Sequence, residues 1–130
     1  MPYKILIVDD EEPVRKLFRD LLVKEQHDVT CLPSAEEALD HLEKNSFDVM
    51  LLDIKLPGLT GVEALKLVKE RKPEVSVIMI TGYGYDEDLI AKCRELGCSG
   101  YIGKNMPIAQ IMSNFRLFTK TAEESKRRKE

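Results

Sequence analysis

The hydrophobic residues of this chain alternate between short apolar runs and longer segments with helical spacing. Runs of four to six mostly apolar residues are typical of strands buried on both faces of a sheet. The segments between them carry apolar residues every three to four positions, as amphipathic helices do. The predicted strands are 5–8, 28–32, 48–52, 75–80 and 100–103, with one helix after each.

Residues that cap or end helices support these boundaries. Ser34 with Glu37, and Thr60 with Glu63, have the spacing of capping boxes at helix starts. Gly97 is placed as the residue that follows the fourth helix, where a left-handed backbone commonly ends a helix. Five strands in strict alternation with five helices predict an α/β fold: a doubly wound parallel sheet with helices on both faces.

Polar residues follow four of the apolar runs. Asp9 and Asp10 follow the first run, Asp53 the third, Thr81 the fourth and Lys104 the fifth. In an open parallel sheet, ligands bind at the carboxyl ends of the strands, so these side chains are expected to meet at one edge. Singly, each has a simpler interpretation, because acids after a strand often begin a turn or cap a helix. Their joint placement favours a functional site.

The residue types at this edge suit phosphoryl chemistry. Mg²⁺ prefers oxygen ligands, which the carboxylates of Asp9, Asp10 and Asp53 can supply. Three crowded carboxylates repel one another, so a bound cation would relieve an electrostatic cost of the fold. Asp53 ends a central strand and is the natural nucleophile for an aspartyl-phosphate. Lys104 and Thr81 could contact the phosphoryl oxygens.

Composition excludes several other classes. The chain has 130 residues, 43% of them hydrophobic, which suits one domain, and its net charge of −3 gives no nucleic-acid-binding footprint. The apolar stretches are too short to span a membrane, and a strand so near the N-terminus predicts no signal peptide and a cytoplasmic location. Cys31, Cys93 and Cys98 are expected to be reduced core thiols, and His27 and His41 surface histidines.

Four segments together resemble the receiver domains of two-component response regulators, including chemotaxis-regulator-like members. The segments are 8–10, 51–61, 80–84 and 100–104, and the resemblance covers about residues 4 to 118. It implies a flavodoxin-like fold with strand order 2-1-3-4-5. It also implies a phosphorylation-controlled signalling switch that catalyses its own phosphoryl transfer and has no external substrate.

The resemblance assigns roles to individual residues. A histidine kinase would donate a phosphoryl group to Asp53, and Mg²⁺ would be bound by Asp9, Asp10, Asp53 and the backbone carbonyl of Lys55. In the family, the chemistry depends on positioning and on charge neutralisation by these groups. The expected cofactor is therefore Mg²⁺ and the expected phosphodonor a histidine kinase.

The resemblance also implies a switch. Thr81 and Lys104 would bind the phosphoryl group, and Thr81 with Tyr101 would form the pair that rearranges on phosphorylation. The hydroxyl moves toward the phosphate in this family, and the aromatic ring turns inward. The expected output surface is the face formed by the fourth helix, fifth strand and fifth helix, and it controls a partner or an output domain.

One position departs from the usual family pattern, and two others affect the expected lifetime of the phosphate. Asn105 stands where the family usually has proline after the lysine, so a trans Lys104–Asn105 bond is expected. Lys55 and Tyr83 flank the path of the attacking water in the family, and neither can orient water as a carboxylate or amide would. The phosphorylated state is therefore expected to be long-lived.

Other functions and boundaries stay open at this point. One alternative is a receiver-like interaction module that acts without phosphorylation. A Mg²⁺-dependent aspartyl-nucleophile phosphatase is disfavoured, because Lys55 stands where such enzymes carry a second aspartate, two residues after the nucleophile. Residues 1–118 are predicted to form the receiver, and 119–130 a charged helical extension or the start of a linker to an output domain. A monomer or weak phosphorylation-dependent dimer is expected, with no direct binding to nucleic acid or membrane.

Overall fold

Five strands alternate with five helices in the computed structural model, which describes residues 2–82 and 86–129, with side chains to residue 124. Tyr83, one of the two residues on which the expected phosphate lifetime depends, lies outside the described residues. The strands are β1 (Lys4–Val8), β2 (Asp28–Leu32), β3 (Val49–Asp53), β4 (Ser76–Thr81) and β5 (Gly100–Gly103). The helices are α1 (Glu12–Lys24), α2 (Ala35–Lys44), α3 (Gly61–Arg71), α4 (Glu87–Glu95) and α5 (Ile108–Lys129).

The strands form one parallel sheet in the order β2-β1-β3-β4-β5, as predicted. Every residue of the central strand β3 is buried, whereas the edge strand β2 is only partly covered. Two apolar layers cover the faces of the sheet, one under α2, α3 and α4 and the other under α1 and α5. Typical members are Leu42, Leu65 and Cys93 in the first layer, and Phe18, Ile111 and Phe115 in the second.

The predicted helix boundaries are formed by the expected side chains. The Glu63 N–H donates to Thr60 Oγ1 at 3.2 Å and the Thr60 N–H donates to Glu63 Oε1 at 3.1 Å, which completes a capping box. At α2, the Glu37 N–H donates to Ser34 Oγ, but the Glu37 carboxylate accepts from the Ser34 hydroxyl. Gly97 follows α4 with φ of 100°, the left-handed conformation expected of a helix-ending glycine.

His27 is half-buried and is held by contacts with Tyr3 and Phe115 that the sequence did not predict. The Tyr3 N–H donates to His27 Nδ1 at 3.0 Å, which requires the imidazole to be neutral. The ring stacks on Tyr3 at 5.4 Å and meets Phe115 edge-on at 5.6 Å. Burial lowers the pKa of His27, which is consistent with this neutral, stacked state.

Helix α5 continues past residue 118, where its apolar pattern ends, and keeps contact with the body of the domain. Thr119 is buried and its hydroxyl donates to the Phe115 carbonyl at 2.9 Å. Burial and a hydrogen bond with Glu123 raise the pKa of Tyr3, so Glu123 contacts the N-terminal end of the sheet. Within the described ranges, neither α5 nor any other helix is long and apolar enough to cross a membrane.

Candidate functional site

The five polar residues predicted at the strand ends converge on the carboxyl edge of the sheet. Asp9 and Asp10 follow β1, Asp53 ends β3, Thr81 ends β4 and Lys104 follows β5. One carboxylate oxygen from each aspartate lies within 4.8 Å of the others. A cleft of about 400 Å³ opens at this edge, and Asp10, Asp53, Thr81 and Lys104 are among its lining residues.

Asp53 lies at the floor of the cleft, with only 3% of its surface exposed. The Lys55 N–H donates to Asp53 Oδ1 at 3.2 Å, and Lys104 Nζ donates to Asp53 Oδ2 at 3.2 Å. Burial, followed by the charge of Asp9, raises the pKa of Asp53 to about 6, although Lys104 opposes the shift. The ionised Asp53 carboxylate is therefore held at an electrostatic cost in the absence of a further cation.

Lys104 is the cation that joins the acidic residues. Its Nζ lies 2.8 Å from Glu11 Oε1, 2.9 Å from Asp9 Oδ2 and 3.2 Å from Asp53 Oδ2. Burial lowers the pKa of Lys104, but the close contacts with the Glu11 and Asp9 carboxylates and the charge of Asp53 outweigh burial and raise it overall. Lys104 is therefore an ammonium at neutral pH. Its backbone N–H donates to the Thr81 carbonyl at 2.8 Å, which fixes the end of β5 beside the end of β4.

Asp9 is held from both its backbone and its side chain. Arg15 Nη1 donates to the Asp9 carbonyl at 2.7 Å, and the Glu11 N–H donates to Asp9 Oδ1 at 2.8 Å. Within the part of the chain that is described, Asp9 Oδ2 accepts no hydrogen bond and meets Lys104 only as an ion pair. A fully buried carboxylate oxygen without a hydrogen bond, beside the carboxylates of Asp10 and Asp53, fits a hard cation such as Mg²⁺.

The loop after β3 is held close to Asp53 by a glycine. The Gly61 N–H donates to the Ile54 carbonyl at 3.0 Å. A Cβ at Gly61 would lie 2.0 Å from the Asp53 backbone oxygen and 2.7 Å from Ile54 Cα. Only glycine permits this approach, so Gly61 sets the position of α3 relative to the end of β3.

Tyr101 does not line the cleft with the other predicted site residues. It pairs with Met79 in the sheet, whereas Thr81 pairs with Gly103. The half-buried Tyr101 ring packs on the layer under α2, α3 and α4, and the Arg94 guanidinium lies 5.9 Å from the ring centre. Tyr101 is therefore placed between the cleft and the surface of α4.

The Lys104–Asn105 peptide bond is trans, as expected from the residue types, since the described residues contain no cis peptide bonds.

The sequence did not identify two residues that hold the site, Glu11 and Arg15. Both lie near the start of α1, one helical turn apart. The spacing of Glu11 and Arg15 in the sequence indicates only that they lie on the same face of a helix. It does not reveal that they contact Lys104 and the backbone of Asp9.

The model of the response regulator receiver domain family matches residues 5–116. The chain belongs to this family. The resemblance found in the sequence motifs is thereby confirmed, and so is the fold, since solved receiver domains superpose over nearly the whole chain.

Relatives and solved structures agree with this membership. The receiver domain is 37% identical over 111 residues to sporulation initiation phosphotransferase F of Bacillus subtilis (strain 168), covering 85% of this chain and 89% of that protein. It is 44% identical over 100 residues to the hydrogenase transcriptional regulatory protein HoxA of Cupriavidus necator, covering 77% of this chain but 20% of HoxA.

The fold of the receiver domain also matches solved structures closely. A receiver domain protein from Methanospirillum hungatei matches with a TM-score of 0.87 and 27% identity, covering 96% of this chain and 99% of that one. NtrX from Brucella abortus matches with a TM-score of 0.90 and 27% identity, covering 98% of this chain and 29% of that one. The receiver domain thus spans less than a third of NtrX and a fifth of HoxA.

Family membership establishes the general function. Receiver domains of two-component systems are signalling switches that accept phosphoryl groups from histidine kinases, and they are not enzymes in the ordinary sense. They typically bind Mg²⁺ through acidic residues, and Asp9, Asp10 and Asp53 form an acidic cluster of this kind.

The electrostatics of Asp53 predict a pH-dependent gain in stability when its charge is removed. The pKa of the Asp53 carboxyl is about 6 in the folded chain, compared with an ordinary value of 3.8. The folded chain therefore binds the Asp53 proton more tightly than the unfolded chain does. The contribution of Asp53 to the free energy of unfolding is therefore fully present below about pH 4, and it is lost as the pH rises through about 6. Without metal, we expect Asp53→Asn to raise the free energy of unfolding by about 1–2 kcal/mol at pH 8.

Urea unfolding of both proteins at pH 4 to 8 in a chelator tests this expectation. The difference between Asp53→Asn and wild type should grow between pH 4 and 6 and then level off. Asp40→Asn, which removes an exposed carboxylate on α2, is the matched control. A difference that does not change with pH would contradict the electrostatic explanation.

Proposed function

We propose that this receiver domain accepts a phosphoryl group from a histidine kinase on Asp53. The observation that carries the proposal is the convergence of Lys104 on Asp53 and Asp9, at 3.2 Å and 2.9 Å, on the floor of an open cleft. An ammonium held over a buried carboxylate can neutralise charge that develops on a transferring phosphoryl group. Positioning and neutralisation of this kind are the main requirements of phosphoryl transfer.

In the proposed reaction, an Asp53 carboxylate oxygen attacks the phosphorus of the kinase phosphohistidine. A P–O bond forms, the P–N bond breaks, and its electron pair returns to the imidazole nitrogen. The Lys104 ammonium meets one phosphoryl oxygen and the Thr81 hydroxyl donates to another. The Lys55 N–H, which already donates to Asp53 Oδ1, orients the acceptor carboxylate.

Mg²⁺ is the proposed cofactor. Asp9, Asp10 and Asp53 would hold it with the backbone carbonyl of Lys55, which lines the same cleft. When bound, the ion supplies charge neutralisation for the phosphoryl oxygens. The support for this assignment is the donor set itself: three carboxylates, one of them with a buried oxygen that accepts no hydrogen bond from the described residues.

The proposed output surface is the face of α4, β5 and α5. An aspartyl-phosphate carries a charge of roughly −1.5 to −2 in place of the single negative charge of the free Asp53 carboxylate. A local change of this kind acts at a distance only through an element with two arrangements. Thr81 lines the cleft, and Tyr101 lies beyond it under Arg94 of α4. A movement of the Thr81 hydroxyl toward the phosphate would change the space available to the Tyr101 ring.

Beryllofluoride, a mimic of the phosphoryl group, tests this route by amide chemical shifts. We expect shifts at the cleft and along the face from Asp86 to Phe118. In Tyr101→Ala, the shifts at the cleft should remain and those on α4 and α5 should shrink. Shifts confined to α1 and α2 would contradict the proposed output surface. A chain that acts only as an interaction module would give no shifts at all.

The remaining proposals concern organisation. Residues 1–118 are proposed as the receiver unit and 119–130 as a helical extension or the start of a linker, although α5 is continuous across this boundary. The small share of HoxA and NtrX that this chain matches supports an output domain as one partner. A monomer or weak phosphorylation-dependent dimer, and a cytoplasmic location, stay predictions.

A further inference from the structure

Glu11 contacts the site lysine but has no part in the proposed phosphoryl transfer. Its Oε1 lies 2.8 Å from Lys104 Nζ, the shortest of the three ion-pair contacts that this ammonium makes with described residues. Glu11 also lines the cleft. As the residue before α1 it stands at the cap position, yet its side chain does not cap the helix. The carboxylate of Glu11 therefore faces the lysine and not its own helix.

The three carboxylates around Lys104 differ in how easily they can move away from the ammonium into solvent. The side chains of Asp9 and Asp53 are 0% and 4% exposed, whereas that of Glu11 is 59% exposed. The backbone of Glu11 is fixed by the bond from its N–H to Asp9 Oδ1, but its carboxylate can turn into water. An exposed ion pair contributes little to stability, so Glu11 is the partner that gives way most readily.

We propose that Glu11 is a positioning residue that holds Lys104 in the unphosphorylated protein and is displaced from it by the phosphoryl group. This proposal rests on the proposed function of Asp53 as phosphoacceptor. The aspartyl-phosphate carries roughly one negative charge more than the free Asp53 carboxylate, and it brings three acceptor oxygens to a site where Lys104 already contacts Asp53. Its oxygens compete with the Glu11 carboxylate for the same ammonium.

Two consequences follow for the switch. Before phosphorylation, Glu11 holds Lys104 in an ion pair and adds a negative charge to the lining of the cleft that the incoming anion enters. When the phosphoryl group binds Lys104, the ion pair between Lys104 and Glu11 is broken. The loss of that contact offsets part of the favourable free energy of binding. Glu11 therefore lowers the affinity of the site for a phosphoryl group and the rate at which the site accepts one.

Glu11→Gln and Glu12→Gln form the matched pair for testing this proposal. Both remove one exposed acid at the start of α1, but Glu12 is not an ion-pair partner of Lys104. We expect Glu11→Gln to increase beryllofluoride affinity, and the initial rate of labelling by acetyl phosphate with Mg²⁺, by about three-fold, in line with the loss of one exposed ion pair. Glu12→Gln should change both by less.

Proton exchange of the Lys104 ammonium, followed by NMR without any phosphodonor, provides an independent readout. Exchange should accelerate in Glu11→Gln and not in Glu12→Gln. Equal behaviour of the two variants in exchange and in beryllofluoride affinity would overturn the role of Glu11. If wild-type Asp53 is not labelled at all, the proposed function fails, whereas unchanged exchange in Glu11→Gln counts against the Glu11 contact alone.

Discussion

Replacement of Asp53 by asparagine is expected to reduce acid-labile phosphate labelling to background. Asp53 is the carboxylate at the floor of the cleft that both Lys55 and Lys104 contact. An amide at this position lacks the negative charge of the nucleophile, so no acyl phosphate can form. Labelling with a small phosphodonor and Mg²⁺, followed by mapping of the modified peptide, measures the effect.

Two controls distinguish loss of the proposed acceptor from a general effect on the protein. Asp40→Asn removes an exposed carboxylate on α2 and should be labelled like wild type. Chelation of Mg²⁺ should also abolish labelling of the wild-type protein, because the charge on the transferring group is then left largely unneutralised. Labelling of Asp53→Asn at the wild-type level would show that another residue is the acceptor.

Replacement of Gly61 by alanine is expected to lower the free energy of unfolding by about 3 kcal/mol, the upper part of the range for overpacked sites. The added Cβ would lie 2.0 Å from the Asp53 backbone oxygen, far inside van der Waals contact. Since the nearest atoms belong to the backbone, no side chain can rotate to make room. Helix α3 must then move away from the end of β3.

Gly82→Ala is the control for the Gly61 substitution. Among the described residues, a Cβ at Gly82 would meet only Lys104 Cδ at 4.0 Å, an ordinary contact. Urea unfolding should therefore show a large loss for Gly61→Ala and a small change for Gly82→Ala. Equal stabilities of the two variants would mean that the loop after β3 adapts freely and that Gly61 does not fix α3.

The carboxyl edge could be predicted because its residues are placed by the backbone. In a parallel sheet, a residue that follows an apolar run must lie at the carboxyl edge, whatever its side chain does. Asp53 and Thr81 are at strand ends for this reason, and Lys104 is bonded to the end of β4 through its own N–H. The strand order came from the family resemblance and not from the spacing of the runs.

The contacts that complete the site depend on side-chain reach and could not be predicted in the same way. Glu11 and Arg15 lie in a segment with the ordinary pattern of a helix start, and their partners depend on how α1 packs. The close approach at Gly61 depends on the separation of α3 from β3. The stacking of His27 on Tyr3 joins residues 24 positions apart, so no local pattern reports it.

The ion pairs of Lys104 also determine when the site forms during folding of the chain. Lys104 joins Glu11 across 93 positions and Asp53 across 51, through the edge strand β5, which pairs only with β4. Contacts between residues so distant in sequence carry a high loop-closure cost and form after local structure. A chain that has been synthesised only as far as β4 already carries Asp53, the proposed acceptor, but not Lys104. On the proposed function, competence for phosphoryl transfer is therefore acquired only when β5 has been added beside β4.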